Sequence, residues 1–280
     1  MKCIEADCNN ERMEGKTYCK DCEEFVLSEN MERKTINKVI CGNAVQELKD
    51  IPNESVDLIF VDPPYNLGKD YGNIFKDNVS LIEYYSWCDG WLLDLIRVLK
   101  PTGQLFIMNL PRHLAHIYTF LMKKKMIYKN WISWVRNDNS PYSKKTQFKP
   151  NHQDILRFVK TKDFHWDWRG DPRKPIWHKD KRVKDLAGQF DTWNDITYVK
   201  GNSKEKTEVN NQLPIKLLDR IIKIASKEGD IILDCFGGSG STAISCIRNK
   251  RKYIIIEQNK NYVEIINKRI NKEKEQTNLL

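Results

Sequence analysis

The sequence contains no apolar run approaching the roughly 20 residues that a bilayer-spanning helix requires. Its start, Met1-Lys2-Cys3-Ile4-Glu5, lacks the apolar core of a signal peptide. These absences predict a soluble, cytoplasmic chain with no membrane partner. No internal repeat is visible, which excludes a solenoid or propeller. No complete Gly-x4-Gly-Lys-Ser/Thr phosphate loop occurs, which argues against ATP hydrolysis. In a reducing compartment the 8 cysteines need a role other than disulfides.

What is present bounds the fold. A chain of 280 residues with 40% hydrophobic content can bury one α/β core and carry a small appendage. The net charge of +9 and the pI near 9.0 suit an anionic partner such as nucleic acid, or equally a lysine-rich solvated surface.

Half of the cysteines fall in the first two dozen residues. Cys3, Cys8, Cys19 and Cys22 are spaced C-x4-C, a ten-residue gap, then C-x2-C, with Gly15 in the gap. Two such knuckles can wrap one tetrahedral zinc ion through four thiolates, which leaves no open position for catalysis. The expectation is a structural zinc; the alternative is a small cysteine-rich apolar core.

From about Lys38 onward, strand and helix signals alternate. Val39–Cys41 reads as a strand and Ala44–Lys49 as one or two helical turns. Val56–Val61 reads as a buried parallel strand, and Ser80–Leu99 as a helix ended by Lys100-Pro101-Thr102-Gly103. Strands follow at Gln104–Met108, Trp131–Val135 and Asp154–Val159, with an amphipathic helix at Arg112–Lys125. Lys160 to about Lys206 has no clean period and is read as an irregular, exposed insertion. Helices then open at Pro214, Ser241 and Tyr262, and strands lie at Ile231–Asp234 and Lys252–Glu257. The alternation implies a mostly parallel sheet covered on both faces. The expected divisions are 1–33, 34–160, 161–206 and 207–280.

Three stretches carry candidate chemistry. Asp62-Pro63-Pro64-Tyr65 directly follows a buried strand, at the strand end where open α/β sheets bind ligands. An exocyclic amine of a nucleobase is a poor nucleophile, because its lone pair is delocalised into the ring. A carboxylate accepting one N–H and a carbonyl accepting the other would pull that nitrogen towards sp³ geometry. Asp62 supplies the carboxylate, the prolines hold the Pro63 carbonyl rigidly, and Tyr65 offers a face for an extruded base. The bland reading is a Pro-Pro turn with a surface tyrosine.

The second stretch, Asp234-Cys235-Phe236-Gly237-Gly238-Ser239-Gly240-Ser241-Thr242, joins a strand to a helix. Asp234, Phe236, Gly238, Gly240 and Ser241 are the cofactor-binding candidates, because small residues admit a ligand to the backbone and to the helix N-terminus. Glu257 ends the next strand and suits a ribose diol, which together favours an adenosine-containing ligand. A tight packing turn is the alternative. The third is the irregular stretch with Trp166, Trp168, Trp177 and His178. There Arg169, Arg173, Lys174, Lys179, Lys181 and Arg182 are candidate DNA contacts, with aromatics available to stack.

Taken together, these residues resemble the amino-methyltransferases of bacterial restriction–modification systems. The resemblance is to the permuted β class, in which the Asp-Pro-Pro-Tyr motif precedes the glycine-rich motif. It extends over nearly the whole chain after Lys38. Asn130-Trp131-Ile132-Ser133-Trp134, Asn151 to Phe158 and Thr192-Trp193-Asn194 are similar to the middle segments of members that modify adenine in short asymmetric sites. The resemblance implies a Rossmann-like sheet dependent on S-adenosyl-L-methionine, an irregular target-recognition insertion, and the added zinc-binding N-terminal segment. It assigns Asp62, Pro63, Pro64 and Tyr65 to the target base. Phe236, Gly238 and Gly240 fall to the cofactor loop, and Glu257 to the ribose. Asn43 stands where the family usually has Asp near the cofactor. Gln212-Leu213-Pro214 matches a segment that commonly has Lys before Pro, so Gln212 and Pro214 join the cofactor candidates, as does Asp62 beside its catalytic role, while Leu213 cannot supply that charge.

The implied activity is N6-adenine methylation of double-stranded DNA, with N4-cytosine methylation as the near alternative. An inactive zinc-bearing DNA-binding module is the distant one. The absence of a Pro-Cys dipeptide disfavours cytosine-C5 chemistry. A homodimer and a cognate restriction endonuclease are partners the resemblance admits.

Overall fold

The computed structural model describes residues 35–69, 77–135, 146, 148–173 and 188–278. Eight strands form one sheet: β1 (Lys38–Cys41), β2 (Val56–Val61), β3 (Leu99–Asn109), β4 (Ile127–Val135), β5 (His152–Val159), β6 (Thr192–Trp193), β7 (Ile231–Asp234) and β8 (Lys252–Glu257). Their order is β1-β8-β7-β2-β3-β5-β4-β6. The run from β1 to β3 is parallel throughout, whereas β5 runs antiparallel to both β3 and β4. The sheet is therefore parallel where the motif-bearing strands lie and mixed at the other limb.

The helices are α1 (Ala44–Glu47), α2 (Leu81–Val98), α3 (Pro111–Lys123), α4 (Ile215–Ala225), α5 (Ser241–Arg248) and α6 (Lys260–Asn278). α2 starts because Ser80 and Glu83 form a reciprocal capping box. It buries Tyr84, Cys88, Trp91, Leu92, Leu95 and Val98, a stripe at helical spacing. This stripe and the inner face of α3 pack with Ile59, Val61, Leu105 and Ile107 on one side of the sheet. Ile215, Leu218, Ile222, Ala243, Ile266 and Ile270 of α4, α5 and α6 cover the other side, against Leu58, Phe60 and Ile232. Burial on both faces explains why β2 is apolar from Leu58 to Val61 rather than alternating.

One expectation is corrected. Lys100-Pro101-Thr102-Gly103 does not separate a helix from a strand at Gln104, because β3 already begins at Leu99. Leu99 pairs with Val56 and Gln104 with Leu58, so the intervening residues bulge out of the ladder. Lys100 is held there by an ion pair to Asp57 at 2.7 Å. The irregular reading of the insertion holds for its described residues, apart from a short 3₁₀ turn at Trp168–Gly170 and the two-residue strand β6. No helix among the described residues is long and apolar enough to cross a membrane.

Candidate active site

β2 and β7 are parallel neighbours, with Leu58 beside Ile232 and Ile59 beside Leu233. Chain connectivity leaves β2 towards β3 and returns through β7 and β8 on the opposite side. The carboxyl ends of β2 and β7 therefore flank the topological switch point of the sheet. The Asp-Pro-Pro-Tyr turn leaves one of these ends and the glycine-rich turn leaves the other. They open on one cavity of about 950 Å³.

Of the residues singled out from the sequence, Asn43, Asp62, Pro63, Pro64, Tyr65, Gln212, Asp234, Phe236, Gly238, Ser241 and Glu257 line this cavity. Gly240 and Pro214 do not. Gly240 takes φ +79° as the N-cap of α5, and a Cβ there would lie 2.7 Å from Ile266, so its role is close packing. Pro214 caps α4, where its carbonyl accepts from Leu217 N–H at 3.0 Å.

Three carboxyl groups stand at the ends of neighbouring strands. The Tyr65 hydroxyl donates to Asp62 Oδ1. Burial pushes the Asp62 carboxyl up to about 7; the Tyr65 hydrogen bond opposes this, and the nearby Asp234 charge adds to it. Asp234 accepts from Phe236 N–H at 3.0 Å and from the Thr242 hydroxyl at 2.6 Å, which ties β7, its turn and α5 together. Burial raises its carboxyl to about 6. Glu257 accepts from Gly238 N–H at 2.7 Å and Asn259 N–H at 2.8 Å, and burial raises its pKa as well. An acidic floor beside an open glycine backbone fits a ligand with a diol and a positive centre. A Cβ at Gly238 would meet no atom closer than 3.8 Å, so the space above that glycine is open.

The flanks are fixed by short polar contacts. Asp77 accepts from Asn66 N–H at 2.7 Å, Leu67 N–H at 3.0 Å and Lys69 N–H at 2.9 Å, which closes the segment after Tyr65. Phe236 packs against Trp87 and Trp91, with ring centroids 5.7 and 5.5 Å apart. Asn43 caps α1 through Val45 N–H at 2.9 Å, and its amide reaches Gln258 at 3.3 Å. The Gln212 amide is consumed inside its own loop, accepting from Thr207 and donating to the Glu205 carbonyl. Leu213 contributes its carbonyl, which accepts from the Ser241 hydroxyl at 2.7 Å.

The cavity also takes in Trp87 and Tyr198, which were not singled out from the sequence, and Trp134 and His152, which lie in stretches quoted for the resemblance without a site role. Trp134 and His152 reach it because β4 and β5 pair antiparallel, with Val135 beside His152. Asp154 holds the His152 ring through Nδ1 at 2.8 Å.

In the insertion, Arg169 lies 4.8 Å from the Trp168 ring. Arg173 lies 3.7 Å over Phe190 and donates to the Gly188 carbonyl at 2.7 Å, so its guanidinium braces the insertion itself. Arg220, which is 2% exposed, donates to Asp171 and to both oxygens of Asp195, pinning two parts of the insertion to α4. Lys174, Lys179, Lys181 and Arg182 lie outside the described residues, as do Cys3, Cys8, Cys19 and Cys22. Among the described residues no cluster of three or more metal-ligating side chains occurs.

An acidic Pro-Pro-Tyr turn and a glycine-rich turn on adjoining parallel strands, with an acid on the next strand, define an α/β methyltransferase fold. The chain belongs to the DNA methylase family of N6/N4 methyltransferases, whose model matches residues 56–268. It is 35% identical over 240 residues to the type II methyltransferase M.HpaI of Haemophilus parainfluenzae, covering 84% of this chain and 74% of that protein. It is 33% identical over 260 residues to the DNA adenine methyltransferase YhdJ of Escherichia coli K12, covering 84% and 81%. The fold is similar to the crystal structure of the M1.HpyAVI–SAM complex, with a TM-score of 0.58 and 27% identity over 83% of this chain and 98% of that one.

Proposed function

We propose that this chain methylates N6 of adenine in a short site of double-stranded DNA, using S-adenosyl-L-methionine. The observation that carries the reading is the meeting of Asp62 and the glycine-rich turn in one cavity at the switch point. Family membership supports methylation of an exocyclic amine in DNA, and the likeness to YhdJ supports the adenine assignment. S-adenosyl-L-methionine supplies an electrophilic methyl group. Glu257 and the open backbone at Gly238 suit its ribose, and the acidic floor suits its positive charge. The first N–H groups of α5 suit its carboxylate in place of the lysine that Leu213 replaces.

The residues of this chain account for the rest. Flipping a base out of the duplex costs a few kcal/mol. Tyr65 leaves Asp62 and offers its ring to the base. The Asp62 carboxylate accepts one amine N–H and the Pro63 carbonyl the other, which localises the lone pair on nitrogen. No hydrogen bond to the Pro63 carbonyl is made among the described residues, so that acceptor is available. Once methylated, the nitrogen carries a positive charge and must shed a proton. A carboxyl whose proton affinity is raised by burial can take that proton and pass it to water.

Target recognition falls to residues 161–206, supported by their basic and aromatic content and by the Arg220 anchor. The catalytic half spans 34–160 and the cofactor half 207–280. Residues 1–33 hold a structural zinc through Cys3, Cys8, Cys19 and Cys22, supported by their spacing. The chain acts in the cytoplasm, as a monomer or a homodimer, and a cognate restriction endonuclease is a natural companion. Nucleoside analysis of DNA from cells expressing the chain or its Asp62→Ala variant tests the reading. N6-methyladenine should appear with the first and not the second; N4-methylcytosine, or equal signal from both, would overturn it.

A further inference from the structure

Beneath the Asp-Pro-Pro-Tyr turn lies a buried polar layer to which the mechanism above gives no role. Tyr84 on α2 is 1% exposed and His113 on α3 is 0% exposed. The Tyr84 hydroxyl donates to the Pro64 carbonyl at 2.6 Å and accepts from Asn109 Nδ2 at 3.0 Å. Asn109 is itself fixed, its Oδ1 accepting from Leu110 N–H at 2.7 Å. His113 Nε2 lies 3.0 Å from the Tyr65 carbonyl, and the Tyr84 and His113 rings pack at 4.5 Å.

The His113 tautomer follows from its surroundings. A carbonyl can only accept, so the Tyr65 contact needs the proton on Nε2. Arg112 Nε also lies 3.2 Å from that nitrogen, but it can donate there only if the proton sits on Nδ1. Nδ1 is buried without a partner among the described residues. Nδ1 is unpartnered in either tautomer, so the choice falls to Nε2: the Tyr65 carbonyl needs that donor, whereas Arg112 is exposed and its guanidinium can turn to water, which places the proton on Nε2. Burial and the Arg112 charge both lower the His113 pKa, which keeps the ring neutral.

We infer that Tyr84 and His113 are positioning residues for methyl transfer. By taking the carbonyls of Pro64 and Tyr65, they lock the peptide planes of the turn and leave the Pro63 carbonyl as the acceptor presented to the base. Neither side chain touches the reacting atoms. The two hydrogen bonds come from different helices, so they fix the turn against both tilt and slide. Misplacing an acceptor by about 1 Å can cost on the order of 100-fold in rate. The inference rests on the methyltransferase reading.

The test uses the full-length chain with unmethylated amplified duplex DNA and S-adenosyl-L-methionine. His113→Leu and Tyr84→Phe should each lower kcat by at least about tenfold, with cofactor KM and calorimetric Kd within about twofold of wild type. His113→Gln, whose amide can donate from nearly the same place, should recover to within about threefold of wild-type kcat. A ¹⁵N-histidine spectrum, with His113 identified by its loss in the Gln variant, should show the proton on Nε2. Unchanged kcat in both His113→Leu and Tyr84→Phe, or a proton on Nδ1, would overturn the inference. So would loss of kcat and cofactor affinity together without rescue by glutamine. A wild-type chain that methylates nothing would instead count against the methyltransferase reading, and the spectrum would still decide the His113 hydrogen bond.

Discussion

The backbone N–H of Gly238 donates a 2.7 Å hydrogen bond to Glu257 Oε2 and so clips the turn after β7 to the end of β8. Gly238 adopts φ +52°, a conformation that side-chain-bearing residues rarely take. Glu257 thus shapes the loop as well as offering an acceptor to a diol. Its second oxygen is held by Asn259 N–H at 2.8 Å, so the carboxylate is oriented before any ligand arrives.

Glu257→Gln should weaken S-adenosyl-L-methionine binding by about 10–100-fold, the effect of removing charge-assisted hydrogen bonds worth roughly 1.5–3 kcal/mol. At saturating cofactor, kcat should change little. Isothermal calorimetry with the purified variant checks it, and unchanged affinity would remove Glu257 from the cofactor site.

Asp62 makes stability depend on pH. Burial raises its folded-state carboxyl from 3.8 to about 7. Between those values the unfolded chain has released the proton and the folded one keeps it. The stability this provides is fully present below pH ~4 and is lost as pH rises through about 7. Asp62→Asn abolishes the ionisation, so it should raise unfolding stability by roughly 2–4 kcal/mol at pH 8 relative to wild type. The gain should be smaller at pH 5. Denaturant unfolding at the two pH values measures the difference; a gain that does not grow with pH would contradict it.

The Tyr65 hydroxyl opposes the upward push on Asp62. Transfer needs the ionised carboxylate, so kcat/KM should fall on the acid side with a midpoint near the free-enzyme value of about 7. Tyr65→Phe removes that hydrogen bond, and the acid limb should move to higher pH. A pH–rate profile of the two proteins decides the sign; a downward move would show that Tyr65 acts on Asp62 in some other way.

For the N-terminal cysteines, metal analysis of the purified full chain should give about one zinc per chain. Replacing Cys19 or Cys22 by serine should lower that content sharply. Less than a tenth of an equivalent in chelator-free wild-type protein would rule the zinc out.

Much of the parallel half of the sheet was legible. Val56–Val61, Ile231–Asp234 and Lys252–Glu257 are strands at the bounds their apolar runs suggested, because a strand buried on both faces carries its signal locally. The Asp62 and Gly238 turns were legible for the same reason: each follows directly from such a strand. Long-range pairing was not. Nothing in Trp131–Val135 or Asp154–Val159 announces that these strands run antiparallel, and that pairing is what brings Trp134 and His152 to the cavity. Tyr84 and His113 were hidden differently. Both fit the buried stripe of an amphipathic helix, and only their polar tips reach the turn. Arg173 read from the sequence as a candidate DNA contact, and nothing local announced that its guanidinium also braces Gly188 and Phe190.

The most direct test is incubation of the purified chain with methyl-labelled S-adenosyl-L-methionine and mixed-sequence duplex DNA, followed by nucleoside analysis. Label confined to N6-methyladenine is the expected result and fixes donor, substrate class and target atom together. Label in N4-methylcytosine would contradict the base assignment, and no label in DNA would contradict the account as a whole.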